Sequence, residues 1–183
     1  MCLAELTCHT NWGFVSACQF GQAHRRPWRI KGKKSGSIRT PDQKEPGDGI
    51  YVDQIVPAQP GLIPQMSVLL TNQRLWGATT FVDHVSDYVY VHLMLDLSLA
   101  EKLLAKEAME KVMAQAGQTV THYHTNNGHF ADNGFVDAVN TKSRKLTFCG
   151  VGAHHQNGII EKKNKILTTG ARTLLLHGIR MWP

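Results

Sequence analysis

From Gly49 onward, two kinds of hydrophobic pattern take turns along the chain, and their order leaves few folds open. Ile50 to Val56 is a β-type run that stops at Pro57. Residues 57–73 carry Pro57, Pro60 and Pro64 and read as a loop. Trp76–His84 and Tyr88–Leu95 are two more strand patterns, parted by a turn at Asp87. A helix follows, with Ser98 as N-cap and Glu101 three residues on, the spacing of a capping box. Leu99, Leu103, Leu104, Val112 and Met113 are expected on its buried face, and Lys102, Lys106, Glu107, Glu110 and Lys111 mostly outside it. Gly117 ends that helix. Then come a strand at Thr119–His124, a short helix at Phe135–Val139, a strand at Leu146–Val151 and a long helix at Asn157–Met181, interrupted at Gly170 and Gly178. The order is β-β-β-α-β-α-β-α. Three early strands feeding a helix, then strands alternating with helices, predict an α/β domain with a mixed five-stranded sheet flanked by helices.

The other classes fall away quickly. The chain has 183 residues, of which 42% are hydrophobic and 19% charged, so it can bury a core. The longest stretch without charge, between Asp53 and Arg74, holds three prolines and several amides and is no membrane span. The first residues show no basic cap followed by an apolar run, so no secretory signal is expected. The cysteines at 2, 8, 18 and 149 form no CxxC pair, which suits a reduced, intracellular protein. Residues 24–48 are rich in Lys, Arg, Gly, Pro and Ser and read as a basic linker after an irregular segment, 1–23. The compact part is expected over 49–183.

Charge is segregated. Residues 1–48 hold 8 Lys/Arg and 4 Asp/Glu, residues 49–140 hold 4 and 9, and residues 141–183 hold 8 and 1. Two basic segments thus bracket an acidic middle. Such poles suit a polyanion partner, although a solvated basic face explains them equally well.

Several residues are candidates for chemistry. Asp53 stands among strand formers, where its propensity is poor, so a local rule is broken there. Glu161 lies one turn into the last helix, near Lys162, Lys163 and Lys165; its plain reading is a solvated carboxylate paired with Lys165 at i, i+4. Thr125-Asn126-Asn127-Gly128 after a strand is first of all a turn. Two metal ions need anionic oxygens from several elements, and Asn126 offers a carbonyl oxygen without charge. His122, His124, His129, His154 and His155 cluster in sequence, but no Cys stands at ligand spacing for zinc. Cys149 lies in a run that reads as a buried strand rather than as a nucleophile site.

Several motifs together resemble the integrase region of Copia-type LTR retrotransposon polyproteins and, more distantly, retroviral integrase cores of the ribonuclease H-like fold. They are Cys18-Gln19-Phe20-Gly21 with His24-Arg25-Arg26-Pro27-Trp28, then Val52-Asp53-Gln54, Thr80-Phe81-Val82-Asp83-His84 and Tyr123-His124-Thr125-Asn126-Asn127-Gly128. The last runs from Phe148-Cys149-Gly150-Val151 through His155-Gln156-Asn157-Gly158-Ile159-Ile160-Glu161, where Gln-Asn-Gly-x-x-Glu is the most specific piece. The match covers about Cys18 to Pro183. It implies that the family's three acidic catalytic positions fall on Asp53, Asn126 and Glu161. Asn126 and Glu161 are 35 residues apart, which suits the family's spacing. It also implies two Mg²⁺ or Mn²⁺ ions held by those residues, attack on a DNA phosphodiester, action in the nucleus and assembly as a homo-oligomer. Lys162, Lys163 and Lys165, with Arg25 and Arg26, would face nucleic acid, DNA or RNA. No membrane partner is implied.

Three departures follow from the same comparison. Asn126 replaces an Asp, which removes one anionic ligand and is expected to lower metal affinity and turnover severely. Asp132 lies only 29 residues before Glu161 and is read as a loop or cap residue; Asp83 is read as structural. In the zinc-finger region that precedes the core in this family, Cys18 survives, Val15 stands at its partner position and the histidine pair is absent, so 1–23 reads as a remnant. The family's final core helix has no counterpart before Pro183, which predicts exposed apolar surface. Three readings stay open: a truncated and impaired integrase core, an active metal-dependent polynucleotidyl transferase, and a nucleic-acid-binding or interaction module without catalysis.

Overall fold

The computed structural model describes residues 43–62, 72–150 and 157–181, together with Gly21; the side chains of 179–181 are not described. The sequence pieces at 1–20, 22–42 and 151–156, Arg25 and Arg26 among them, lie outside the described residues. The strands are β1 (Ile50–Ile55), β2 (Gly61–Leu62), β3 (Arg74–Leu75), β4 (Gly77–Asp83), β5 (Val89–Met94), β6 (His122–Thr125) and β7 (Lys145–Phe148). The helices are α1 (Leu99–Gln115), α2 (Asn133–Asn140) and α3 (Gly158–Met181). The described residues from 43 to 164 belong to one compact unit, and α3 beyond Asn164 belongs to a second one.

Five strands form one sheet in the order β5-β4-β1-β6-β7. The β5–β4 and β4–β1 pairs are antiparallel, while β6 pairs parallel to β1 and β7 parallel to β6. A parallel neighbour needs a crossover, and α1 and α2 supply the two that are required. This is the expected mixed sheet with its flanking helices.

The register sorts the side chains onto two faces. Val52 stands opposite Phe81, and Ile50 opposite Tyr123. These side chains pack with Ala105, Met109 and Met113 of α1, with Phe135 and Val139 of α2, and with Phe130, to form the main core. On the other face Tyr51, Val82 and Val89 pack against Ile159 and Ile160 of α3. Asp53 lies on this second face, two residues beyond Tyr51.

Four expectations need correction. The buried side of α1 carries Lys102, Ala105, Lys106, Met109 and Met113, whereas Leu104 is 53% exposed. Polar partners reverse the simple pattern: Lys102 Nζ donates to the His129 carbonyl at 2.7 Å, and Lys106 pairs with Glu110 at 2.9 Å. Gly170 and Gly178 do not interrupt α3, because each faces open space and the backbone ladder runs past them. The fourth strand starts at His122 rather than Thr119, since its ladder with β1 opens only at Ile50–Tyr123. The loop after β1 hides a two-residue ladder, β2 with β3, too short to leave a period.

Three local readings match the structure. Ser98 caps α1, accepting from the Glu101 N–H at 3.3 Å. Asp132 caps α2, accepting from the Gly134 N–H at 2.9 Å. Asp83 is fully buried and structural: it accepts from the Gly47 N–H at 2.8 Å and from the Ser86 N–H and hydroxyl at 2.7 and 2.6 Å.

Candidate active-site corner

The corner is assembled where β1 and β6 run side by side toward their C-terminal ends. β1 carries Asp53, half-buried, and the turn after β6 carries Asn126. The Asn126 side-chain amide donates to Asp53 Oδ1 at 3.1 Å. Its carbonyl oxygen accepts from the Gly128 N–H at 3.4 Å, which tightens the Asn-Asn-Gly turn. Asn164, one helical turn past Glu161 on α3, donates from its amide to Asp53 Oδ2 at 2.9 Å. Each oxygen of the Asp53 carboxylate is therefore held by a neutral amide donor.

Burial pushes the Asp53 carboxyl above its ordinary range, and hydrogen bonds from the Gln54 N–H and from Asn164, with the charge of His129, offset part of that rise. Glu161 is exposed on the first turn of α3 and forms no ion pair among the described residues, so its plain reading as a partner of Lys165 is not what the structure shows. Burial, then the charge of Glu161 and later that of Asp53, push the Cys149 thiol up. Cys149 is buried and free, and its sulfur lies 3.4 Å from His124 Nε2.

The structure thus brings Asp53 and Asn126 together through a direct bond, and Asn164 ties Asp53 to the helix that carries Glu161 one turn earlier. Lys162 and Lys165 are exposed on the same helix, while Lys163 is ion-paired with Asp87. Two residues were missed. Asn164 had a usable signal, since it follows Glu161 at i+3 and so shares its helix face. Thr147 had none: its hydroxyl lies 2.7 Å from His122 Nε2 and 2.8 Å from His124 Nδ1, which accounts for those two histidines without a metal.

Divalent ions ask for several anionic oxygens aimed at one point. Here the donors are two carboxylates and one amide, and that amide turns its N–H₂ toward Asp53. Among the described residues no group of three His, Cys, Asp or Glu side chains is placed to hold a metal ion. The described residues at this corner supply fewer anionic oxygens than a pair of divalent ions asks for.

No protein-family model matches the chain, and no curated protein sequence matches it. Solved structures do. The simian T-cell lymphotropic virus intasome in complex with the PP2A regulatory subunit B56 gamma matches with a TM-score of 0.51 at 16% identity, over 72% of this chain and 47% of that one. The bovine immunodeficiency virus (BIV) integrase catalytic core gives 0.48 at 14% identity, over 72% and 81%. The HTLV-2 integrase catalytic core in complex with magnesium gives 0.45 at 16% identity, over 65% and 66%. The chain spans about half the length of the intasome protein it matches. With the strand order and the flanking helices, the intasome likeness identifies the fold as the ribonuclease H-like fold of integrase catalytic cores.

Proposed function

We propose that this chain is an integrase-core-like domain of Copia-type retrotransposon descent that binds nucleic acid and in which two-metal phosphodiester transfer is impaired. One observation carries the second half: the Asn126 amide donates to the Asp53 carboxylate, where a second carboxylate would have to share a cation with it. An amide satisfies Asp53 without metal, so nothing at this corner recruits one strongly. The descent rests on the Gln-Asn-Gly-x-x-Glu motif ending at Glu161 and on the fold. Binding rests on the +6 net charge and on Lys162 and Lys165, which α3 leaves exposed. Mg²⁺ or Mn²⁺ is the cofactor of the ancestral reaction in this reading, and DNA, met in the nucleus, is the partner. A second copy of the chain is the expected companion in this reading.

The test is metal-dependent nicking and strand joining on a labelled branched DNA, comparing the chain as it stands with Asn126→Asp. Activity in Asn126→Asp alone supports the proposal and assigns the loss to one ligand. Activity in the unaltered chain refutes the impairment and makes Asn126 a working ligand. Silence in both, with folded protein, refutes the claim that Asn126 is what disables the site.

A further inference from the structure

A second charged cluster lies away from the corner, where α1 meets the turn between α2 and β7. Glu110 is its centre, with a side chain 9% exposed. Lys106 Nζ donates to Oε1 at 2.9 Å and the Tyr123 hydroxyl donates to the same oxygen at 2.8 Å. Lys142 Nζ donates to Oε2 at 3.0 Å, and the Arg144 guanidinium closes on Oε1. Three cations thus share one carboxylate. Ser143 lies between two of them in the left-handed backbone region, at a φ of 53°, and this tight reversal returns both Lys142 and Arg144 to Glu110.

The donors far outnumber the acceptors. An ammonium has three N–H groups and a guanidinium five, whereas a carboxylate offers roughly four lone-pair sites. Among the described residues Glu110 is the only acceptor for these three side chains. A structural pin between α1 and β7 needs a single cation on Glu110. The other two leave positive charge in a partly enclosed place, where it is screened less than on open surface. The Lys106 side chain is 3% exposed and supplies field rather than contact, while Lys142 is 51% exposed and Arg144 14%.

We propose that this cluster is an anion site that takes a phosphate group, with Lys142 and Arg144 as its contacts and Glu110 as the residue that positions them. It lies at the start of β7, which runs parallel to β6, whereas Asn126 follows the end of β6. The site is therefore at the opposite end of the sheet from Asp53 and Asn126, and it stands whether or not the metal chemistry proposed above does. Bidentate guanidinium geometry and a nearby ammonium suit the tetrahedral oxygens of phosphate. The source is either a nucleic-acid phosphodiester or free phosphate.

Thermal melting of the full chain, in phosphate against chloride at matched ionic strength, tests the site. The comparison uses Lys142→Gln, Lys142→Arg and, as a control, Lys111→Gln, whose side chain lines a groove between β5 and α1 instead. Phosphate is expected to raise the melting temperature of the unaltered chain, Lys142→Arg and Lys111→Gln by more than that of Lys142→Gln. Equal increments in all four overturn the proposal. Amide NMR of the unaltered chain gives a check that needs no variant: saturable phosphate shifts at Lys142–Lys145 support the site, and their absence sinks it. Duplex DNA binding in chelator then names the source. A smaller salt slope of log K in Lys142→Gln means a phosphodiester, and an unchanged slope beside unequal melting increments means free phosphate.

Discussion

Two carboxylates facing each other across β1 and β6 repel unless a cation lies between them, whereas an amide facing a carboxylate forms a hydrogen bond. That difference gives Asn126 measurable consequences apart from turnover. In Asn126→Asp without metal, the new like charge adds to burial and pushes the Asp53 carboxyl further above its ordinary range. A carboxyl whose folded value is raised favours the fold below its unfolded value and loses that contribution as pH rises through the folded one. Asn126→Asp is therefore expected to melt lower than the unaltered chain at neutral pH in chelator, and to regain stability when Mg²⁺ is added. The unaltered chain should show little Mg²⁺ dependence in the same scan; a large one would contradict the poor fit of this corner to metal. Asn164→Ala removes a hydrogen bond that lowers the Asp53 value, so carboxyl NMR should show Asp53 titrating at higher pH in that variant. Asp53 was legible in the sequence because a carboxylate among strand formers breaks a local rule. The amide bonds that now hold it were not, because they join residues 73 and 111 positions apart.

Helix α1 shows what pattern reading misses. Apolar and charged residues are interleaved along it, and a rule that sends every Lys outward assigns the wrong face. Lys102 and Lys106 are buried because each stem lies along the core and each ammonium reaches an oxygen, the His129 carbonyl and Glu110 respectively. The order of the five main strands and three helices, by contrast, was readable, since it needs only strand and helix periods and turn residues; the two-residue β2–β3 ladder was not. Glu110 ties α1 to β6 through Tyr123 and to β7 through Arg144. Burial alone would raise its carboxyl, but bonds from Lys106, Tyr123 and Lys142 outweigh burial and hold it below its ordinary range. A carboxyl with a lowered folded value stabilises above its unfolded value, and that stability is lost as pH falls through the folded one. Glu110→Gln should therefore flatten the acid limb of a plot of stability against pH. Glu110→Ala, which strands buried Lys106, is expected to cost about 3 to 5 kcal/mol in urea unfolding. A loss below about 1 kcal/mol would mean that the cluster is no tie between these elements.

Across the whole molecule the two faces of the sheet differ in how far they are covered. The face under α1 and α2 is closed, whereas Val91, Leu93, Leu95 and Trp76 are exposed near the β5 edge. Leu93→Lys is accordingly expected to change stability by no more than about 0.5 kcal/mol, while Met109→Ala, in the closed core, should cost about 2 to 5 kcal/mol. Charge is divided along the chain in the same uneven way, and the basic start of α3 is where the structure refines the sequence most. Three lysines follow Glu161, and by spacing all three looked equal. Lys163 is already tied to Asp87, while Lys162 and Lys165 are exposed without an ion pair among the described residues. A lysine that neutralises a phosphate releases about 0.9 of a counterion, and one paired with a carboxylate must first give that partner up. Duplex binding in chelator should therefore weaken steeply with salt. Lys162→Gln and Lys165→Gln should each lower the slope of log K against log salt by about 1, and Lys163→Gln by less. Equal losses at all three positions would show that DNA displaces Asp87 from Lys163, and no loss at any would remove α3 from the nucleic-acid surface.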